Sequence, residues 1–108
     1  MKEQVQQFLE YLSTEKGYTS NTIIAYQNDL GQFVAYLEPR VSRWDQVTRH
    51  LIMDYIIHMR SVQEYASSTV ARKVAAIKSF FHYLVGRKKV PDDPTATLDS
   101  PKVGKLTP

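Results

Sequence analysis

Cysteine is absent from the 108 residues of this chain. That excludes a disulfide framework and a thiolate zinc site, and leaves packing to hold any fold together. Long apolar runs are missing too. No stretch approaches the roughly 20 residues of a membrane span, and Lys2-Glu3-Gln4 is not followed by the apolar stretch of a signal peptide. A soluble, cytoplasmic protein without a membrane partner is the expectation. The 4 glycines are scattered, no segment alternates as a strand does, and no internal repeat is apparent. Neither a P-loop, nor G-x-S-x-G, nor H-E-x-x-H is present. The adjoining acids Asp92 and Asp93 sit in a proline-rich tail that offers nothing to hold an active site. His50, His58 and His82 show no i, i+4 pairing and no neighbouring cysteine, so neither a metal nor a cofactor is expected.

What is present is the composition of one globular domain, 43% hydrophobic and 23% charged. A chain of this size buries roughly two-thirds of its unfolded surface, enough for one core and not for two. Apolar residues recur at helical spacing. Val5, Phe8, Leu9 and Leu12 predict a first helix over about Lys2 to Lys16, ended by Gly17. Thr19 or Ser20 offers the cap of a second helix with the inner stripe Ile23, Tyr26, Leu30, Phe33, Val34 and Leu37, finishing before Pro39. Glu38 to Val47 is expected to be a loop, with Trp44 folded against the core. Thr48 caps a third helix with Ile52, Tyr55, Ile56 and Met59 inward, ending near Val62. Ser67-Ser68-Thr69 is expected to cap a fourth, whose inner stripe is Val70, Val74, Ile77, Phe81 and Leu84, up to Gly86. The spacing makes Tyr26, Phe33, Tyr55 and Phe81 core residues rather than a base-stacking platform. The fold class is all-α, a single four-helix bundle over residues 1–90. Residues 91–108, with Pro91, Pro94, Pro101 and Pro108, read as an extended linker toward an absent domain.

The charge is unevenly placed. Residues 1–64 carry a balance of −2 and residues 65–108 a balance of +5; six basic residues and no acid lie between Tyr65 and Pro91. Basic charge on one helix is the electrostatic footprint expected of a nucleic-acid binder. The fourth helix presents Ser68, Arg72, Ala75, Ser79 and His82 opposite Ile77, with Lys78 on one shoulder. Small and hydroxyl-bearing positions let a backbone approach a duplex while Arg72 and Lys78 neutralise phosphates or reach base edges. The second helix offers Asn21, Ala25, Asn28 and Gln32, with Thr22 beside them; amides can read adenine, and the N–H groups near Ser20 to Thr22 can hold a phosphate. An ordinary wet surface would also be polar on these faces. Arg87 and Lys88 favour the helix macrodipole by roughly 0.3–1 kcal/mol each whatever else they do, so they are secondary phosphate contacts only.

Read in order, these residues resemble a known family. Phe8-Leu9-Glu10-Tyr11-Leu12 followed by Glu15-Lys16-Gly17-Tyr18-Thr19-Ser20-Asn21-Thr22, and the motif Thr22-x3-Tyr26-x2-Asp29-Leu30, are similar to the N-terminal SAM-like core-binding domain of tyrosine recombinases of the phage-integrase and Xer type. Ser67-Ser68-Thr69-x2-Arg72, the run Ile77 to Leu84, and Asp93-Pro94-Thr95 with Leu98, Pro101 and Lys102 continue the likeness across nearly the whole chain.

The resemblance implies a non-catalytic half of a C-shaped clamp on duplex DNA, with the second and fourth helices on the major-groove side. The family's cleavage chemistry belongs to a separate C-terminal domain, so none of the seven tyrosines is expected to be a nucleophile. The DNA-contacting set is then Ser20, Asn21, Thr22, Ala25, Asn28, Ser68, Thr69, Arg72, Ala75, Lys78 and Ser79. Many Xer-type members carry basic residues where this chain has Gln27 and Asn28, so the fourth helix is expected to dominate affinity. Other recombinase subunits are implied partners of the full-length protein, through the first helix, and the fragment alone is expected to be monomeric. A helical module for subunit assembly is the alternative function.

Overall fold

In a computed structural model that describes residues 1–96 and 98, α1 spans Lys2–Thr14, α2 Ser20–Leu37, α3 Arg49–Ser61 and α4 Ser67–Gly86, with one 3₁₀ turn at Trp44–Gln46. No strand occurs among the described residues. The chain is an all-α bundle in which α4 is the central element, packed against α1, α2 and α3, while α1 also lies along α2.

The inner stripes are where their periodicity puts them. Val5, Phe8, Leu9 and Leu12 are buried, as are Leu30, Phe33, Val34 and Leu37, and the five expected positions of α4 are all but inaccessible. Ile23, Ile56 and Tyr26 are only half-buried. Tyr26 departs from its expected core place: it stands at the edge of the bundle, stacked on Tyr18 and edge-on to Phe8. Conversely, α4 buries a wider face than its stripe, adding Lys73, Ala76 and Phe80. A helix surrounded on three sides needs more than a narrow stripe.

Trp44 enters the core from the loop. Its ring meets Phe80 at 4.7 Å and Phe81 at 5.7 Å, and its Nε1 donates to the Met1 carbonyl at 3.1 Å. The loop around it is organised by Gln46, whose Oε1 accepts from the backbone N–H of Ser42 and of Arg43.

The two helical hairpins turn alike. Gly17 (φ 65°) and Glu64 (φ 55°) both adopt the left-handed conformation. The tyrosine after each, Tyr18 or Tyr65, donates its N–H at 3.0 Å to a carbonyl of the finished helix, Leu12 or Met59. An extended residue follows, Thr19 or Ala66, and the next helix starts at Ser20 or Ser67. Gly17-Tyr18-Thr19-Ser20-Asn21-Thr22 and Glu64-Tyr65-Ala66-Ser67-Ser68-Thr69 are therefore one turn used twice, a repeat that is not evident from pattern alone. Reversal at Gly17 also ends α1 two residues before the expected Lys16.

The shared turn explains a correction at α4. Its N-cap position is Ala66, which has no side-chain oxygen, so the Ser67-Ser68-Thr69 cluster lies inside the helix instead of capping it. Thr19 and Thr48 do cap α2 and α3, accepting from the N–H of Thr22 and Leu51. Thr19→Ala is expected to destabilise the domain by about 1 kcal/mol, a fall in Tm of roughly 4–8 °C. A thermal melt unchanged by the substitution would show that this cap contributes nothing.

The tail expected to be an extended linker starts by folding back. Val90, Thr95 and Leu98 are buried. Asp93 closes a tight turn by accepting from both the N–H and the hydroxyl of Thr95, at 2.8 and 2.6 Å. Asp93 is thus held after all, by a local turn that Asp-x-Thr chemistry makes. Pro101 and Lys102 lie outside the described residues.

Candidate nucleic-acid interface

Contact between α2 and α4 sets their outer faces side by side. Every outward position expected on these helices is exposed: Asn21, Ala25, Asn28 and Gln32 on α2, and Ser68, Arg72, Ala75, Ser79 and His82 on α4. Between them runs a groove of about 390 Å³ lined by Asn21, Thr22, Ala25, Tyr26 and Asp29 from one helix and Arg72, Ala75 and Ala76 from the other. The alanines make it shallow-walled, so a ligand backbone or base edge can come close to the helices.

The electrostatics of this groove centre on a carboxylate. Asp29 is buried; its Oδ2 accepts from Arg72 Nε at 3.2 Å and its Oδ1 from Arg72 Nη2 at 3.1 Å, a bidentate fork. The same Oδ1 accepts from Lys73 Nζ at 2.8 Å, and that ammonium also donates to Gln32 Oε1 at 2.7 Å. The Lys73 side chain is only 3% exposed, against 57% for Arg72, and its ammonium stands 5.3 Å from the centre of the Tyr65 ring. One carboxylate balances one of the two cations, so the cluster keeps a net charge of +1, and the exposed guanidinium is the cation that a ligand can reach.

Three sequence expectations change as a result. Lys73 is withdrawn from the basic surface of α4. Asp29, distant in sequence from both cations, supplies the acid that a scan of residues 65 to 91 does not see. Gln32 has one lone pair of its carbonyl oxygen engaged by Lys73, which ties its side chain to the cluster and competes with the acceptance from N6 that bidentate adenine reading needs.

The other expected contacts divide. Lys78 and Ser79 line a neighbouring groove of about 500 Å³ between α1, α4 and the tail, with Tyr11, Tyr18, Tyr26 and His82. There the half-buried Lys78 donates to the carbonyl of Leu98 at 3.0 Å. Ser20 opens α2 and Asn28 lies farther along it, both exposed and outside the groove linings. Thr69 is half-buried. Thr22 has its N–H capped by Thr19, and the two hydroxyls lie 3.0 Å apart, so the helix-start donors for a phosphate narrow to those of Ser20 and Asn21. Arg87 lies over Tyr83 and Tyr11, 5.1 and 5.4 Å from their ring centres, about four turns along α4 from Arg72 and roughly 22 Å away. Lys88 is exposed at the end of α4 with φ 59°.

Among the described residues, no cluster of His, Asp or Glu is arranged to hold a metal, and no helix is long and apolar enough to cross a membrane. Burial pushes the Tyr55 phenol above its ordinary range, with smaller contributions from Tyr65, Asp29 and Tyr36. That direction keeps the phenol protonated.

Comparison with known proteins agrees with this architecture. Residues 5–88 match the family described as phage integrase, N-terminal SAM-like domain. Over its whole length the chain is 45% identical to tyrosine recombinase XerC of Herpetosiphon aurantiacus and 48% identical to XerC of Roseiflexus castenholzii, covering 35% and 34% of those proteins. It is 39% identical to tyrosine recombinase XerD of Halalkalibacterium halodurans, over 96% of the chain and 35% of that protein. The chain thus spans about a third of the length of the curated relatives it matches. No solved structure matched it.

Proposed function

Because the chain belongs to the family of phage-integrase N-terminal SAM-like domains, we infer that it is the part of a site-specific tyrosine recombinase that grips duplex DNA without cutting it. The observation that carries this reading is the groove that gathers Asn21, Thr22 and Ala25 of α2 opposite Arg72 and Ala75 of α4. Net positive charge, small side chains and amides side by side suit phosphate contacts with a few base contacts. Ser20, Asn28, Ser68, Thr69, Lys78 and Ser79 border that surface, and Arg87 and Lys88 extend it as secondary phosphate contacts. Strand cleavage in the parent protein, its action on DNA in the cytoplasm, and the role of residues 91–108 as a linker toward a catalytic domain belong to the same reading.

A titration of duplex DNA tests it. Log K is expected to fall with log salt at about −0.9 per phosphate neutralised, and replacing both Arg72 and Lys78 by alanine is expected to flatten that slope by about 0.9 for each phosphate that the variant leaves unneutralised. Absent or salt-independent binding at low ionic strength would count against DNA as the ligand. Loss of the fold in the double variant would mean that these side chains serve the bundle more than the duplex.

A second reading, subunit assembly, draws support from α3 rather than from α1. Met53 and Ile57, one turn apart on α3, are 38% and 59% exposed, whereas the exposed residues of α1 are all polar, Gln6, Gln7, Glu10 and Ser13 among them. The apolar pair on α3 is the better candidate for a neighbouring subunit. The two readings use different faces and are compatible in one protein.

A further inference from the structure

We propose that Arg72 reads a guanine base, with Asp29 as the residue that aims it. This rests on the duplex-binding reading above and specifies one contact within it.

A guanidinium has a side-on edge, Nε and one terminal nitrogen, and an end-on edge formed by the two terminal nitrogens. Asp29 takes the side-on edge through Nε and Nη2. The end-on edge, Nη1 with the second hydrogen of Nη2, is a parallel pair of donors. That pair matches O6 and N7 of guanine in the major groove and no other base's pair of groups. A phosphate would accept from the same edge, so donor geometry alone does not choose between them. Rigidity and surroundings choose.

A cation meant for phosphate loses little by being mobile, since the charge does the work from many positions. A base reader must arrive already oriented. Arg72 is oriented: both oxygens of a buried carboxylate grip it, and that carboxylate is itself fixed from behind by buried Lys73. Lys73 also resolves the charge problem. With Asp29 alone, Arg72 would be neutralised; with Lys73 added, the pair Asp29–Lys73 balances and Arg72 keeps its charge for a ligand. The groove that holds the guanidinium is lined by Ala25 and Ala75 together with Asn21, Thr22 and Tyr26, and the two alanines leave a low side over which a base edge can approach.

The experiment begins with selection of preferred duplexes by this chain from a randomised duplex pool, followed by replacement of each selected guanine, one at a time, by 7-deazaguanine, which lacks the N7 acceptor. At one guanine the wild-type chain is expected to lose about tenfold in affinity. Arg72→Lys, which keeps the charge and asks nothing new of the fold, is expected to bind the unmodified duplex about tenfold more weakly and to be indifferent to 7-deazaguanine there. Asp29→Asn, at a temperature where it is folded and still binds the duplex with a salt dependence, is expected to lose most of that sensitivity while Arg72 is still present, which a purely structural role for Asp29 would not produce. A selected pool without a fixed guanine, or a 7-deazaguanine penalty equal in wild type and Arg72→Lys, would overturn the proposal while leaving salt-dependent duplex binding intact. A loss for Arg72→Lys that is uniform over all sequences would place Arg72 on a phosphate and overturn it equally. Failure to bind any duplex at low salt would overturn both readings together.

Discussion

Asp29→Ala is expected to destabilise the domain by about 3–5 kcal/mol, because removing one member of a buried ion pair leaves the other charged and alone in the interior. Lys73 is the residue left stranded: it is 3% exposed, and its ammonium keeps only Gln32 and the face of Tyr65 once the carboxylate is gone. Equilibrium urea unfolding monitored at Trp44 measures this directly. Lys73→Met is expected to cost far less, since Asp29 retains the Arg72 fork and the methionine fills the volume of the lysine stem. Arg72→Ala is expected to cost about 1 kcal/mol or less, its side chain being 57% exposed and the pair correspondingly screened. The ranking is as informative as the magnitudes. If Asp29→Ala cost less than about 1 kcal/mol, Lys73 would have to reach water by a small rearrangement, and the carboxylate would serve orientation alone.

Trp44→Ala is the second large effect, again about 3–5 kcal/mol. The tryptophan belongs to no α-helix, yet its ring is wedged against Phe33, Phe80 and Phe81, so its removal opens a cavity between α2 and α4. Trp44→Phe separates the two parts of its role. It keeps most of the apolar packing and loses the Nε1 bond to the Met1 carbonyl, for which about 1 kcal/mol is the ordinary worth. Thermal melts of the two variants should therefore be well apart, since 1 kcal/mol corresponds to roughly 4–8 °C in a domain of this size. Equal losses for alanine and phenylalanine would mean that the start of the chain, and not the ring, is what Trp44 secures.

Helix positions and their inner faces were legible in the sequence because burial repeats with the helical period, and each of Leu30, Phe33, Val34 and Leu37 supports the inference from the others. The outer faces follow by subtraction, which makes Asn21 and Ala25 on one helix and Arg72 and Ala75 on another candidates, while it is the family resemblance that puts the two helices on one side. Pairwise chemistry across the bundle was not legible. Asp29 stood in the sequence as a letter of a motif, and nothing local announces that a carboxylate on α2 meets two cations on α4. Lys73 counts with the basic charge of α4 when charge is tallied along the chain, although its spacing, three residues after Val70 and four before Ile77, puts it on the buried face. Tyr26 sat on the right stripe but at its margin, where the bundle ends. The misplaced cap at α4 has another cause: three consecutive hydroxyls offered three possible starts, and the left-handed residue that decides among them is Glu64, a residue type with no preference for that conformation. A glycine there, as at Gly17, would have marked the second turn as a copy of the first.

The depth of the Asp29–Lys73 pair divides the charges of this domain into two populations by their response to ions. At 1 M salt the screening distance shrinks to about 3 Å, and attractions at the wet surface weaken steeply while enclosed ones weaken little. A strong electrolyte should therefore strip any polyanion from the groove with the bundle still folded and the tie between its two hairpins still closed. Grip and integrity, though both are built from the same carboxylate and its neighbouring cations, can be switched independently by the medium.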